Sequence, residues 1–239
     1  MKPRKLLVVG AHSADFLWRS AGTIAVTTEN GGSATVLALS YGERGESGNL
    51  WRDNPDQTVE NVKRIRHEMA AEAAKLVGAK FRCLDLGDYP LIVTDNAINE
   101  IVRIILEEKP NVILTHTAVD PFNPDHPVAY TTVQQARLLA SGAGVASAFK
   151  RVTPPDWYSF EPHQPELSEF YPNTFVDITA VMDKKIAAMN VMSAQAYLID
   201  YYTELAARRG NHARRISGKQ HVKFAEAHQR HVPWVVEHL

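Results

Sequence analysis

Four short apolar runs, separated by helix-length segments, constrain this chain more than any other feature of it. Residues 6–10, 34–39, 81–86 and 112–114 have the length and aliphatic content of buried strands. Between them lie three stretches with helical spacing. Residues 16–30 are closed by Gly31-Gly32. Residues 57–77 place Val59, Val62, Ile65, Met69, Ala73 and Leu76 at helical intervals and stop at Gly78. Residues 96–108 carry Ile98, Ile101, Ile104 and Ile105 on one face. Such alternation predicts an α/β fold, a Rossmann-like and mostly parallel sheet with helices on both faces. Residues 40–54, rich in glycine and polar side chains, read as a loop. Further on the pattern loosens. Residues 127–139 read as a helix, 158–160 and 174–178 as strands near the sheet edge. Residues 182–209 read as one long helix broken or ended at Gly210, and 220–228 as a short final helix. With no repeat, low-complexity tract or linker, the 239 residues are expected to form a single domain, 1–239.

Charge excludes some function classes. Twenty-six basic residues stand against 27 acidic ones, a formal net charge of −1, so no global excess points to nucleic acid or a membrane surface. No run of apolar residues is long enough to span a bilayer, and the run after the basic N-terminus, residues 6–9, is too short for a signal-peptide core. The lone cysteine, Cys83, cannot form an intrachain disulfide and reads as a buried core thiol; a cytoplasmic location is the matching expectation.

In open α/β sheets, ligands bind beyond the carboxyl ends of the strands. Two such ends carry metal-competent residues. Ala11-His12-Ser13-Ala14-Asp15-Phe16 follows the first strand, and His116 to His126, ending Asn123-Pro124-Asp125-His126, follows the fourth. Two imidazoles and a carboxylate would hold a catalytic ion and leave positions open. Each residue also has a plain structural reading. His12 can bond a backbone carbonyl, Asp15 can cap the following helix, and His126 can belong to a helix N-terminus.

These two loops resemble the Ala-His-Pro-Asp-Asp-Glu and His-Pro-Asp-His motifs of the LmbE-like (PIG-L) zinc enzymes. Gly42-Glu43-Arg44-Gly45, Asp177-Ile178, Asp183-Lys184-Lys185, Ser193-Ala194-Gln195 and Ala225-Glu226-Ala227 extend the resemblance, in order, over nearly the whole chain. It implies an LmbE-like fold, a zinc ion on His12, Asp15 and His126, and Asp125 orienting a ligand or loop from behind. Two positions depart from the deacetylase pattern. Ala14 stands where that pattern has its general base, and Asn123 where it has a histidine beside the oxyanion. Losing a positioned base costs about 10²–10⁴ in rate.

The altered pattern is similar to the 4-oxalomesaconate hydratase branch, carried here by residues 11–16, 40–47, 86–90 and 160–166. That resemblance implies addition of water to a C=C bond of an unsaturated oxo-tricarboxylic acid. It also implies a small oxo-carboxylate as partner and a homo-oligomer. Such chemistry needs a base, a proton donor and cations for carboxylates. Glu46 is the candidate base, its alternative a solvated loop carboxylate. His163 is the candidate proton donor or substrate contact, its alternative a turn histidine. Asn123 can donate a hydrogen bond at the site. Arg44, Arg19 and Arg52 are the candidate carboxylate binders, although Arg19 can equally lie on an exposed helix face. An amide hydrolase and a non-catalytic binding protein on a metalloenzyme scaffold are the competing readings.

Overall fold

The computed structural model describes residues 3–145 and 149–235. The strands among these residues are β1 (Lys5–Gly10), β2 (Ser33–Ala38), β3 (Lys80–Cys83), β4 (Val112–Thr115), β5 (Asp156–Phe160), β6 (Thr174–Asp177) and β7 (Ala225–Arg230). They form one sheet in the order β3-β2-β1-β4-β5-β7-β6. The first five are parallel; β7 runs antiparallel to both β5 and β6. The helices are α1 (Asp15–Glu29), α2 (Gly48–Arg52), α3 (Val59–Leu76), α4 (Asp95–Glu108), α5 (Asp125–Leu139), α6 (Met182–Val191) and α7 (Ile199–Ser217).

Strand side chains alternate between faces, so β1 feeds two cores. Leu6 and Val8 join residues of α1, α3 and α6 on one side. Leu7 and Val9 meet Ile101, Ile104 and Ile105 of α4 and Val133 of α5 on the other. Side-chain caps start two of these helices where the sequence changes character: the hydroxyls of Thr58 and Thr94 accept the amides of Asn61 and Ala97. After β1 the chain builds β2 and β3 on one side and then crosses to β4 on the other. The strand order therefore reverses between β1 and β4, and a crevice opens at their carboxyl ends.

Three expectations need correction. Residues 40–54 are not all loop, since 48–52 form α2. Residues 182–209 are not one helix. Helix α6 ends at Val191, Met192 leaves helical geometry at φ −84° and ψ 62°, and a 3-10 segment over Ser193–Leu198 precedes α7. Nor does Gly210 end α7, which continues to Ser217. A side chain at Gly210 would sit 2.0 Å from the carbonyl oxygen of Lys223, so this glycine answers to close packing. Residues 220–228 contain no helix. They lead into β7, whose Ala and Glu have helical propensity that pairing between β5 and β6 overrides. Among the described residues no helix is long and apolar enough to cross a membrane.

Candidate metal centre and active site

The β1–α1 turn brings His12 and Asp15 together. Asp15 folds back on the strand end so tightly that a Cβ on Gly10 would lie 2.8 Å from its own Cβ, and its Oδ2 accepts the amide of His12 at 2.7 Å. Ala14 points into the apolar core and is fully buried. From the other side of the crevice, α5 begins at Asp125 and offers His126 in its first turn. From the β2–α2 loop comes Glu46.

One ligand atom from each of His12, Asp15, Glu46 and His126 can be chosen so that all lie within 4.8 Å of one another. His12 Nδ1 is 3.2 Å from Glu46 Oε1 and 3.6 Å from Asp15 Oδ2. His126 Nε2 is 3.7 Å from Asp15 Oδ1 and 3.8 Å from Glu46 Oε1. Each imidazole is held from behind by a carboxylate: Asp125 Oδ2 lies 3.2 Å from His12 Nε2, and Asp120 Oδ2 lies 2.7 Å from His126 Nδ1. A proton on each outer nitrogen leaves the inner lone pair free for a cation. The inner nitrogens, His12 Nδ1 and His126 Nε2, are buried and have no hydrogen-bond partner among the described residues. Two orphaned imidazole nitrogens between two carboxylates are a donor set that fits a metal ion.

The charges agree. Burial opposes a charged His12, yet Glu46, Asp125 and Asp15 outweigh it and raise the imidazole well above its usual range. Burial would raise the Asp15 carboxyl, but His116, Arg19 and His126 hold it well below the ordinary value. Burial likewise opposes an ionised Glu46; the nearby charge of His12 brings it down to about 2. The pocket thus concentrates anionic charge that a cation would neutralise.

Around the cluster lies an open cleft of about 260 Å³. Arg19, one turn along α1 from Asp15, is buried, not on an exposed helix face; it pairs with Asp15 and reaches the cleft wall. Its guanidinium lies 5.6 Å from the centroid of the Phe160 ring. His163 also lines the cleft. Its ring rests 4.4 Å from that of Tyr201, and burial, followed by the charge of Arg19, lowers its pKa below the usual histidine value. Asn123 donates from Nδ2 to Glu46 Oε1 at 2.9 Å.

Arg44 and Arg52 do not reach this cleft. The Arg44 amide is tied to Asp88 and its side chain is exposed; Arg52 pairs with neighbouring Asp53 in solvent. From the β2–α2 loop Glu46 lines the crevice, whereas Arg44 of that loop and Arg52 of α2 do not.

Sequence reasoning assigned no role to Asp120, His116 or Gln195. His116 stacks on His126 with centroids 3.9 Å apart, and its Nε2 is 3.0 Å from both Asp15 Oδ2 and the Ala11 amide. Burial and then neighbouring His126 push its pKa down to about 3. Its place immediately after β4 was a usable signal, because crevice residues follow strand ends. Gln195 donates to Glu46 Oε2 at 3.4 Å, from a 3-10 segment that periodicity had absorbed into a helix.

The family model described as PIG-L, GlcNAc-PI de-N-acetylase, matches residues 7–137, a span that contains every residue of the metal cluster. The chain belongs to the PIG-L family. Within the family it is similar to the 4-oxalmesaconate hydratase of Pseudomonas putida, at 42% identity over 99% of this chain and 92% of that protein. The crystal structure of GalB, the 4-carboxy-2-hydroxymuconate hydratase from Pseudomonas putida, superposes with a TM-score of 0.95 at 42% identity, covering 99% of each chain. The diacetylchitobiose deacetylase of Thermococcus kodakarensis is 27% identical over 80% of this chain and 70% of its own length.

Proposed function

We propose that this PIG-L family chain is a zinc-dependent hydratase. It would add water across the C=C bond of an unsaturated oxo-tricarboxylic acid, most simply 4-oxalomesaconate, to give 4-carboxy-4-hydroxy-2-oxoadipate. The observation that carries this reading is the full-length likeness, in sequence and in fold, to a hydratase. Ala14 supports it, since a buried methyl cannot serve as the base of amide hydrolysis.

His12, Asp15 and His126 would hold the zinc, with Asp125 and Asp120 orienting the imidazoles. Zinc, when bound, supplies a Lewis acid that polarises a substrate oxygen. Glu46, ionised and held by Asn123, would take the proton of the attacking water as hydroxyl bonds to carbon. His163, across the cleft, would return a proton to the neighbouring carbon, so that H and OH both enter the product. Arg19 would face a substrate carboxylate, with its planar fork suited to bidentate pairing. Arg44 and Arg52 have no part in this reading. The chain would work as one catalytic domain, 1–239, in the cytoplasm and as a homo-oligomer, with a small oxo-carboxylate as its partner and neither nucleic acid nor membrane required.

The test is to incubate zinc-loaded protein with 4-oxalomesaconate and follow its conjugated ultraviolet absorbance. Loss that a chelator abolishes and zinc restores is expected. No loss with zinc bound, or acetate release from N-acetyl sugars at a normal enzymatic rate, would overturn the proposal.

A further inference from the structure

Arg66 lies in the middle of the buried face of α3, in line with Val62, Ala70 and Ala73, and has no exposed surface. Among the described residues no carboxylate comes within ion-pair distance of it. Its Nε donates to the Tyr41 carbonyl at 3.0 Å, its Nη1 lies 3.0 Å from Gln195 Oε1 and 3.1 Å from Met192 Sδ, and its Nη2 has no hydrogen-bond partner among those residues. A guanidinium buried without a counter-ion is costly, and an apolar side chain of similar length would serve packing better. The fold keeps the charge one residue away from the Glu46 carboxylate.

Donor and acceptor chemistry explains why. A guanidinium can only donate, so the side-chain amide of Gln195 must turn its oxygen toward Arg66. That leaves Nε2 facing Glu46 Oε2, at 3.4 Å. The other Glu46 oxygen is held by the same logic. The Asp125 amide, also donor-only, takes Asn123 Oδ1 at 3.1 Å and turns Nδ2 toward Glu46 Oε1. Reversing either amide would set oxygen against oxygen. We infer that Arg66 is a positioning residue: through Gln195 it fixes the second oxygen of Glu46 and so aims the carboxylate at the reacting water. This rests on the reading of Glu46 as the base.

The experiment uses zinc-loaded full-length protein and the absorbance assay above. Arg66→Met and Gln195→Leu are each expected to lower kcat about tenfold or more, the loss of one hydrogen bond in the chain that holds a charged group. KM and zinc stoichiometry should stay near wild type. Arg66→Lys, which still donates to Gln195 Oε1, should recover most of kcat. The double variant should be no slower than the slower single one, because one residue acts through the other. If Arg66→Met does not fold, Gln195→Leu and Arg66→Lys decide the matter. Wild-type kcat in Gln195→Leu, or multiplicative losses in the double variant, with Glu46→Gln inactive, would overturn the inference alone. Full activity in Glu46→Gln would instead remove Glu46 as base, and the inference with it.

Discussion

Replacing Glu226 by glutamine should destabilise the protein out of proportion to the size of the change. Glu226 lies on β7 but acts on α1. Its Oε1 accepts the Gly22 amide at 2.9 Å and Lys185 Nζ at 2.6 Å, and its Oε2 accepts the Thr23 amide at 2.7 Å. Lys185 also donates to the Trp18 carbonyl at 2.8 Å, and the two charged side chains are only 2% and 5% exposed. Glutamine keeps the shape but sets an N–H against these donors and leaves the Lys185 charge uncompensated. Breaking a buried pair from one side costs about 3–5 kcal/mol. For a chain of this size that lowers Tm by roughly 6–20 °C. Urea unfolding at pH 7, followed by circular dichroism, measures it.

The pH dependence follows from the same contacts. Burial would raise the Glu226 carboxyl, but Lys185 and His228 outweigh it and set its pKa below the ordinary value. Its contribution is therefore complete above the unfolded-state pKa and disappears as pH falls through the lower folded value. The gap between wild type and variant should narrow as the pH is taken below about 4. A variant within about 1 kcal/mol of wild type at pH 7 would refute the claim that this pair is held in a low-dielectric site. Adding Lys185→Met to the variant should recover part of the loss.

Three further outcomes are expected. Asp120→Asn removes the carboxylate behind His126 and should weaken zinc binding about 10–100-fold; competition with a chromophoric chelator reads this, and unchanged affinity would dismiss the orienting role. Gly45→Ala would put a Cβ 2.1 Å from Tyr89 Cε2. Tyr89 is 41% exposed and can swing outward, so KM should rise while Tm barely moves; an identical KM would show that the ring does not shape the cleft mouth. Gly210→Ala opposes two effects, since helix propensity alone favours alanine by about 1 kcal/mol whereas the clash with Lys223 backbone costs about 1–3 kcal/mol or more. Net destabilisation by urea unfolding is expected, and a stabilised variant would rule the close contact out.

The fold class was legible from residue order because element type is written locally. A run such as Leu6-Leu7-Val8-Val9 has few other ways to be buried, and Ile98, Ile101, Ile104 and Ile105 define a helix face without reference to the rest of the chain. The same holds for the family likeness and for placing His12, Asp15 and His126 at strand ends. Local signals failed where tertiary contacts set the backbone. Met192 breaks an apparently continuous helix, bringing Gln195 to the cleft, and Ala225-Glu226-Ala227 becomes a strand because β5 and β6 leave a place between them.

Sequence by itself therefore determined the α/β class and pointed to His12, Asp15 and His126 at strand ends as residues able to bind an ion. Only the tertiary structure decided that the strand order reverses between β1 and β4, that Glu46 lies beside His12, Asp15 and His126, that Asp120 stands behind His126, that Arg44 and Arg52 face away, and that Arg66 reaches Glu46 through Gln195. The physical reason is range. Periodicity is a property of a dozen neighbouring residues, whereas a site is closed by loops from distant positions, whose meeting depends on how every intervening element packs.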